Sequence, residues 1–317
     1  MRRLLDRSRL HSAGSLIILT VLTGYFSIAQ EGFLDAGNLL SLARQYAELG
    51  LVAVGMTLVI AAGGIDISVG GTVGLTGMLL GVLVLQHGWE MLPAAAVALA
   101  VAGSVGAVNG AAVAYLGMQP VLVTLATMSL TRGAAYVLTG GVSLSGFPER
   151  FTDIATGGVA GTGIPLPVAI TGLAFAGSAV LLRRTAFGRA VLASGASAEA
   201  AELSGIRVRR VRFATYLLLS LLAGVAGILL TARVSTSFAD AGRNYEFEAI
   251  TAVVLGGTSL TGGEASVLGT LAGVCTMAVL RNGLSLAGQS DLTRTQMLAV
   301  ALLTAVLIDN LRRRLTS

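Results

Sequence analysis

Long apolar runs are the sequence feature that most constrains how this chain folds. A helix needs about 20 largely apolar residues to cross the hydrocarbon core of a bilayer, and ten runs of roughly that length follow one another along the 317 residues. The eighth run is short and bounded by glycines, which indicates a half-helix or a re-entrant segment. The sequence therefore predicts an all-α polytopic membrane protein with about ten transmembrane helices, built as one domain over residues 1–317. The runs lie approximately at residues 13–29, 46–63, 69–86, 91–115, 120–140, 164–182, 213–234, 247–260, 266–287 and 294–311.

Composition agrees with a membrane location. Hydrophobic residues make up 54% of the chain and charged residues only 12%, about half the share in an average soluble domain. The 42 glycines fit the same interpretation, because small residues let helix backbones approach closely in lipid. The spacing Gly-x-x-x-Gly arises easily by chance in so glycine-rich a chain, and where it is real it marks tight helix packing. It occurs at Gly77/Gly81, Gly106/Gly110 and Gly269/Gly273.

The basic residues, all of them arginine, predict the orientation of the chain. A net charge of +5 is also compatible with nucleic-acid binding, but fourteen of the 21 arginines flank apolar runs. Because arginine-rich loops stay in the cytoplasm, we expect both termini and the loop 183–212 inside, and the loop 141–163 outside. The C-terminus falls inside only if the eighth run counts as a crossing. The fourteen are Arg2, Arg3, Arg7, Arg9, Arg183, Arg184, Arg189, Arg207, Arg209, Arg210, Arg212, Arg312, Arg313 and Arg314.

The first apolar run has a second interpretation. An arginine-rich start followed by an apolar stretch and Ser27-Ile28-Ala29 also fits a cleaved signal peptide. The class of protein would be unchanged by cleavage, because nine further runs remain.

Few residues are available for sulfur or imidazole chemistry. Cys275 is the only cysteine and lies inside an apolar run, so one chain can form neither a disulfide nor a cysteine-based metal site. His11 and His87 lie at the ends of predicted spans, where polar residues meet the interface. The sequence also has no metal-binding motif or nucleophile motif. It therefore predicts no catalytic residue and no metal site, which disfavours a membrane-embedded enzyme.

The segment from Gly55 to Gly71, GMTLVIAAGGIDISVGG, is the most informative motif. An apolar run ends at the pair Gly63-Gly64, Asp66 and Ser68 follow at alternating positions, and another apolar run begins. A carboxylate at membrane depth is expensive and usually faces a bundle interior or an aqueous cavity. Asp66 is therefore a functional candidate, and the equally supported alternative is that it caps the next helix in an ordinary turn.

A second glycine-bracketed element, GGTSLTGG at residues 256–263, resembles the first. Glycine pairs interrupt a helix, and exposed backbone at membrane depth is tolerated only where protein or water satisfies it. Transporters build binding sites from such discontinuous helices. The two elements together suggest irregular backbone that lines a path, with Thr258 and Ser259 as polar candidates.

The arginine-rich loop contains a third motif, between Gly188 and Arg212. Ser197 can cap a short helix over residues 198–204, and Gly205 supplies the left-handed residue that ends it. A plain connector needs no such helix. We therefore favour a docking surface, in which Ala200 and Ala201 let a partner approach closely, over an inside-positive connector.

Five segments together resemble the landmarks of the permease subunits of ribose-type (carbohydrate uptake, monosaccharide) ATP-binding-cassette (ABC) importers. They occur in the order typical of that family and cover nearly the whole chain. They are AVGMTLVIAAGGIDISVG (53–70), PVLVTLATMSLTRG (120–133), EAAELSGI (199–206), YEFEAITAVVLGGTSLTGG (245–263) and RNGLSLAG (281–288).

This resemblance implies a transport subunit that is not an enzyme. Two permeases, identical copies or paralogues, would form the pathway, and a periplasmic or lipid-anchored sugar-binding protein would deliver the sugar. A separate pair of ATPase subunits would bind ATP and Mg²⁺, since the chain has no G-x-x-x-x-G-K-[ST] sequence to bind them. We expect a bacterial inner-membrane permease for a ribose-like sugar that works by alternating access, with no cofactor of its own and no nucleic-acid partner.

The resemblance also assigns expected roles to the motifs. The helix at 199–206 would be the coupling element that rests in a groove of the ATPase, and the glycine-bracketed elements would lie near the translocation path. The predicted coupling residues are Ser197, Glu199, Ala200, Ala201 and Gly205. The predicted path residues are Gly63, Gly64, Asp66, Ser68, Thr258, Ser259 and Asn282.

Some residues depart from the family pattern or have a second interpretation. The chain has Ala196-Ser197 and Glu202 where the family commonly has Gly-Asn and arginine, and Val121 in place of an aromatic residue. Intramembrane polar residues are scarce, and Asn109, Arg132 and Asn282 are the others besides Asp66 and a few threonines. Arg132 and Asn282 equally fit a role in bridging helices.

Two other transporter types remain as alternatives. A permease of the branched-chain amino-acid type shares this architecture and moves another substrate, although the motifs favour sugar. A proton-coupled secondary transporter needs no ATPase, but it usually relies on a relay of several acidic or histidine residues. Asp66 alone is weak support for such a relay.

Overall fold

The computed structural model describes residues 2–158, 163–290, 292–297, 299–300 and 303–304. Most of this part of the chain is helical and it has almost no strands, which confirms the all-α prediction. The one named sheet is a two-residue antiparallel pairing between β1 (Leu144–Ser145) and β2 (Thr236–Ser237). The helices are α1 (Arg2–Ala29), α2 (Ala36–Ala61), α3 (Val69–Gly81, continued by a π-helical turn Val82–Gln86), α4 (Met91–Ala114), α5 (Pro120–Val137), α6 (Glu149–Thr156), α7 (Leu166–Arg184), α8 (Ala186–Ala196), α9 (Ala198–Leu203), α10 (Val208–Val234), α11 (Tyr245–Leu255) and α12 (Val267–Leu286).

Five helical segments among the described residues are long and apolar enough to cross a membrane. They coincide with the third, fourth, sixth, seventh and ninth predicted runs, and a shorter apolar helix, Gly14–Ala29, matches the first. The total of about ten crossings stays a prediction. The tenth run, 294–311, is helical at 294–297, 299–300 and 303–304, and its remainder lies outside the described residues, as does Arg312–Arg314. The five are Val69–Gln86, Met91–Ala114, Leu166–Arg184, Val208–Val234 and Val267–Leu286.

The eighth predicted run is a short helix, as its length and glycines indicated. Helix α11 has 11 residues, so it is about 16 Å long, roughly half the thickness of the hydrocarbon core. The stretch before it, residues 237–242, runs without helical structure along α3. A Cβ atom built on Gly74 would lie 2.7 Å from the carbonyl oxygen of Ala239. This non-helical backbone is therefore covered by protein, as irregular backbone inside a membrane requires.

Helix α10 is the centre of the bundle, and it packs against α2, α3 and α4. The second half of α2, from Tyr46 to Ala61, is buried at every position, so it faces protein on all sides. Tyr216 and Leu219 of α10 are buried against it. A helix that is apolar and buried all round is a core helix, and α2 therefore has a central position.

All three Gly-x-x-x-Gly pairs lie at tight helix contacts. A Cβ on Gly106 would lie 2.6 Å from the Cβ of Ser220 and 2.7 Å from the carbonyl oxygen of Tyr216, both on α10. Gly77 and Gly81 face Thr231 and Ser237, and Gly269 and Gly273 face the backbone of α11. The spacing therefore marks packing in this chain.

Replacing Gly106 with leucine should weaken the α4–α10 contact. The side chain has no space there, and overpacking of a close contact costs about 1–3 kcal/mol. We expect a lower midpoint of thermal unfolding in detergent, measured by fluorescence-detected size-exclusion chromatography.

Gly172→Leu is the matched control, because Gly172 is also in a helix but a Cβ there meets nothing within 4 Å. Equal unfolding midpoints for the two variants would contradict this account of the contact.

Candidate functional site

Asp66 lies in a buried polar network that we call the Asp66 cluster, formed by Asp66, Ser68, Asn109 and Thr127. The Oδ1 atom of Asp66 accepts hydrogen bonds from the backbone N–H of Ser68 at 2.8 Å and from its hydroxyl at 2.6 Å. Asn109 of α4 donates to Oδ2 of Asp66 at 3.3 Å and to Oγ of Ser68 at 2.8 Å. Thr127 of α5 donates to Oδ1 of Asn109 at 2.7 Å. The cluster therefore ties the turn after α2 to two other helices.

Asp66 stabilises the turn before α3 but does not cap that helix. The bond to the N–H two residues on forms an Asx turn, and its donor, Ser68, lies just before the first residue of α3, which has no side-chain cap. Asp66 is 0% exposed, so it does not face an open cavity in this structure. Its place near the translocation path stays a prediction.

Three ion pairs converge on the start of α11, and we call them the α11 ion pairs. Glu246 and Glu248 lie in the first turn of α11. Arg132 of α5 binds Glu246 at 2.8 Å, and Arg281 of α12 binds Glu248 at 2.9 Å. The third pair, Arg233 of α10 and Glu48 of α2, has an N–O distance of 2.8 Å.

The ion pair of Arg132 with Glu246 bridges α5 and α11, in line with one of the two interpretations of Arg132. The ion pairs also include charged residues that the sequence analysis missed. Glu48, Arg233, Glu248 and Arg281 each lie inside a predicted apolar run, and that was the signal that could have found them. Charged residues at membrane depth are functional candidates by default.

A cavity of about 450 Å³ lies beside Arg233 and the pair formed by Glu248 and Arg281. Residues of α2, α10, α11 and α12 line it, among them Tyr46, Arg233, Tyr245, Glu248 and Arg281. Pockets of this size hold small molecules, and a few placed polar groups among aromatic side chains give such pockets their specificity. Charge, aromatic surface and space therefore coincide in this cavity.

The other predicted path residues make local structural contacts. The side-chain amides of Asn282 and Asn38 exchange two hydrogen bonds, at 3.0 and 2.9 Å, so Asn282 bridges α12 and α2. The hydroxyl of Thr258 accepts from the backbone N–H of Ser266 at 3.2 Å and closes the second glycine-bracketed turn. Ser259 is half-buried, with its hydroxyl 3.1 Å from that of Thr261.

The predicted short helix in the arginine-rich loop is present as α9. The hydroxyl of Ser197 accepts from the N–H of Ala200 at 3.2 Å, and Gly205 has the left-handed φ of 82°. The N–H groups of Gly205 and Ile206 reach back to the carbonyls of Glu202 and Ala201 at 2.9 and 3.0 Å. These two bonds form a Schellman motif.

The two alanines of α9 do not face the same way. Ala200 is exposed, whereas Ala201 is 5% exposed and packs against its own chain. Ala201 is therefore covered by the chain itself in this structure, and its contact with a partner stays a prediction. Glu199 is exposed, and Leu203 is exposed to 85%, so the outward face offers an apolar residue that the sequence analysis did not single out.

The three motifs meet at one point, which we call the glycine junction: Gly63, Gly195, Gly262 and Gly263. A Cβ on Gly262 would lie 3.0 Å from the Cα atoms of both Gly195 and Gly63. The N–H of Gly263 donates to the carbonyl of Ala61, the last residue of α2, at 3.0 Å. Both glycine-bracketed turns therefore touch the segment that leads into α9.

Long apolar helices, the short helix α11 and ion pairs beside a cavity fit a polytopic membrane transport protein. The chain belongs to the family described as "Branched-chain amino acid transport system / permease component", whose model matches residues 38–308.

Comparison with known proteins finds relatives along nearly the full chain. It is 40% identical to the ribose import permease protein RbsC of Escherichia coli K12 over 98% of this chain and 97% of that protein. Identity to RbsC of Bacillus subtilis is 38%, over 96% of each chain. The L-arabinose ABC transporter permease protein AraH of Azospirillum brasilense is 34% identical over 96% of this chain and 89% of that protein. No solved structure matches.

Replacing Asp66 should destabilise the fold in proportion to the bonds lost. In Asp66→Ala the buried N–H of Ser68 and the amide of Asn109 lose an acceptor, and each unsatisfied group costs about 1–3 kcal/mol. Asp66→Asn keeps an oxygen toward Ser68 and loses less. We expect unfolding midpoints in detergent in the order wild type, Asp66→Asn, Asp66→Ala.

Transport by Asp66→Asn, measured beside its stability, separates the two roles of this residue. Reduced transport by a normally inserted and stable variant would support the path prediction, and a reduction that only follows the loss of stability would leave stabilisation of the turn as its role.

Proposed function

We propose that this chain is the membrane-spanning permease subunit of an ATP-driven ABC importer for a monosaccharide. The observation that carries the proposal is the 40% identity to a ribose import permease over nearly the full length of both proteins. The family description mentions branched-chain amino acids, but relatives in this comparison are described as permeases for ribose and L-arabinose. A sugar of ribose-like size is therefore the favoured substrate.

The cavity supports a sugar as the transported molecule. A monosaccharide presents several hydroxyls, which both donate and accept hydrogen bonds. Guanidinium groups only donate hydrogen bonds and carboxylates only accept them. Arg233 and Arg281 can therefore donate to sugar hydroxyls, and Glu248 can accept from them. Tyr46 and Tyr245 add aromatic surface. We assign this cavity to the transit route, and the glycine-bracketed turns, with Gly63, Gly64, Thr258 and Ser259, to its cytoplasmic end.

The surface around α9 supports docking of an ATPase on the cytoplasmic side. Leu203 is almost fully exposed in a loop that the arginine rule predicts to be in water, and an apolar residue there suits a partner groove. A groove of about 310 Å³ lies next to it, lined by Tyr115, Glu202 and residues 206–210. ATP and Mg²⁺ would bind to the ATPase, and a second permease and a sugar-binding protein would complete the importer.

Reconstitution tests the proposal directly. The chain is co-expressed with candidate ATPase and sugar-binding subunits from the same genome, purified, and placed in proteoliposomes with radiolabelled D-ribose. We expect the ATPase to co-purify with the chain, and sugar uptake to require ATP and all subunits. Uptake by the chain alone, driven by a proton or sodium gradient, would refute the proposal in favour of a secondary transporter.

Substitutions on α9 test the docking surface. Ala200→Trp and Leu203→Glu change exposed side chains, so we expect unchanged unfolding midpoints but loss of most ATPase co-purification and of uptake. Disrupting an apolar contact at the centre of an interface typically costs about 2 kcal/mol or more, which is about thirtyfold in affinity.

Ala201→Trp is the comparison variant. Ala201 is buried within the chain, so its replacement should lower the unfolding midpoint itself. Normal ATPase retention by both Ala200→Trp and Leu203→Glu would remove α9 as the docking element.

A further inference from the structure

The glycine junction joins residues 195–212, which contain α9 and are called the docking loop below, to two other segments without intervening side chains. Gly195 lies in the last turn of α8, two residues before Ser197, the cap of α9. A Cβ on Gly195 would overlap the carbonyl oxygen of Ala61 and lie 2.5 Å from the backbone nitrogen of Gly263. A Cβ on Gly263 would lie 2.8 Å from the Cα of Ala196. Backbone therefore touches backbone along both sides of α8's last turn.

The other end of the docking loop is tied to the same place. The Nε atom of Arg212 donates to the carbonyl of Ala62 at 3.3 Å, and the hydroxyl of Tyr216 donates to the carbonyl of Ile65 at 3.2 Å. Residues 195–212 thus leave and rejoin the bundle at the turn that follows α2. A force applied to α9 acts on that turn from both sides.

The junction also connects to the cavity through α11. From Gly262-Gly263 the chain leads back through the turn at 256–261 to the end of α11. The first turn of α11, at its other end, carries Glu246 and Glu248 of the α11 ion pairs. Helices α11 and α12 are in backbone contact where Gly256 faces Gly269 and Ala252 faces Gly273. Closely packed backbones have discrete arrangements and are not continuously deformable, so a shift at one end of α11 reaches the other.

We infer that the glycine junction is the mechanical link that passes movement of the docking helix α9 to α11, and so opens and closes the sugar cavity. The inference rests on the proposed function and names the residues inside this chain that perform the coupling. Gly195 is a positioning residue, because it acts through Ala61 and Gly263 and touches no substrate. Flexible side chains at these contacts would absorb a small displacement, whereas direct backbone contact transmits it.

Gly195→Ala tests the link, measured in the complete importer. Residue 195 is in a helix with ordinary φ, so alanine suits its conformation and only the space beside Ala61 and Gly263 is filled. We expect ATPase co-purification and ATP hydrolysis within about twofold of wild type, and sugar uptake reduced about tenfold or more, the size of a lost coupling of 1–3 kcal/mol.

Two glycine-to-alanine variants serve as controls. Gly172→Ala adds a methyl to a helix where nothing lies within 4 Å, and Gly188→Ala crowds α8 against the backbone of Leu181 and Leu182, away from the junction. Uptake should stay near wild type for Gly172→Ala, and for Gly188→Ala uptake and hydrolysis should fall together if they fall at all. The inference is refuted if Gly195→Ala behaves like either control.

Hydrogen exchange in the wild-type importer keeps the test decisive even if Gly195→Ala fails to fold. With ATP and vanadate, which trap the closed ATPase, we expect exchange to change in peptides from α9 and also from 256–266. A response confined to α9 would overturn the inference. Absence of any ATP-dependent uptake by the wild-type complex would instead refute the proposed function, so the two failures can be told apart.

Discussion

Close approach of backbone to backbone is the constraint on which this structure depends. In lipid the apolar surfaces of two helices gain little by meeting, so packing and polar contacts must hold the bundle together. Glycine gives the closest packing, and Gly106 and Gly110 let α4 approach the backbone of α10. The contact between Gly269 of α12 and Gly256 at the end of α11 has the same basis. Loss of such contacts would leave the central helix α10 without close partners on that side.

Charged side chains are the second notable feature of the bundle interior, and they are concentrated around the start of α11. Helix α11 is too short to cross a bilayer. Its first turn is joined to the preceding turn, because the N–H of Tyr245 donates to the carbonyl of Gly242 and the N–H groups of Phe247 and Glu248 donate to the carbonyl of Asn244. Glutamates suit the positive end of a helix dipole, and Glu246 and Glu248 occupy that turn. Each carboxylate then meets an arginine from another helix. A buried pair gives little net stability, which favours a functional reason for its presence.

Local features were predictable from the sequence, and long-range partners were not. The cap at Ser197, the stop at Gly205 and the short eighth element follow from signals within a few residues, and all three are present. The pairing of Arg132 with Glu246 joins residues 114 positions apart, and no periodicity encodes it. The burial of Ala201 beside an exposed Ala200 depends on which face of α9 meets α8 and α10. Sequence alone could not supply that orientation.

Ion pairs and glycine backbone contacts lie at opposite ends of α11 and have different effects on it. At its start, ion pairs between long side chains can exchange partners at small cost, because an arginine keeps several donors for a carboxylate or a sugar hydroxyl. At the C-terminal end of α11, direct backbone contact with α12 leaves no space for side-chain rearrangement, so the two helix ends move together. A helix held loosely by charge at the cavity and rigidly by backbone near α9 moves as one body when its rigid end is displaced. This arrangement suits a subunit whose substrate is small and whose energy is delivered by a partner.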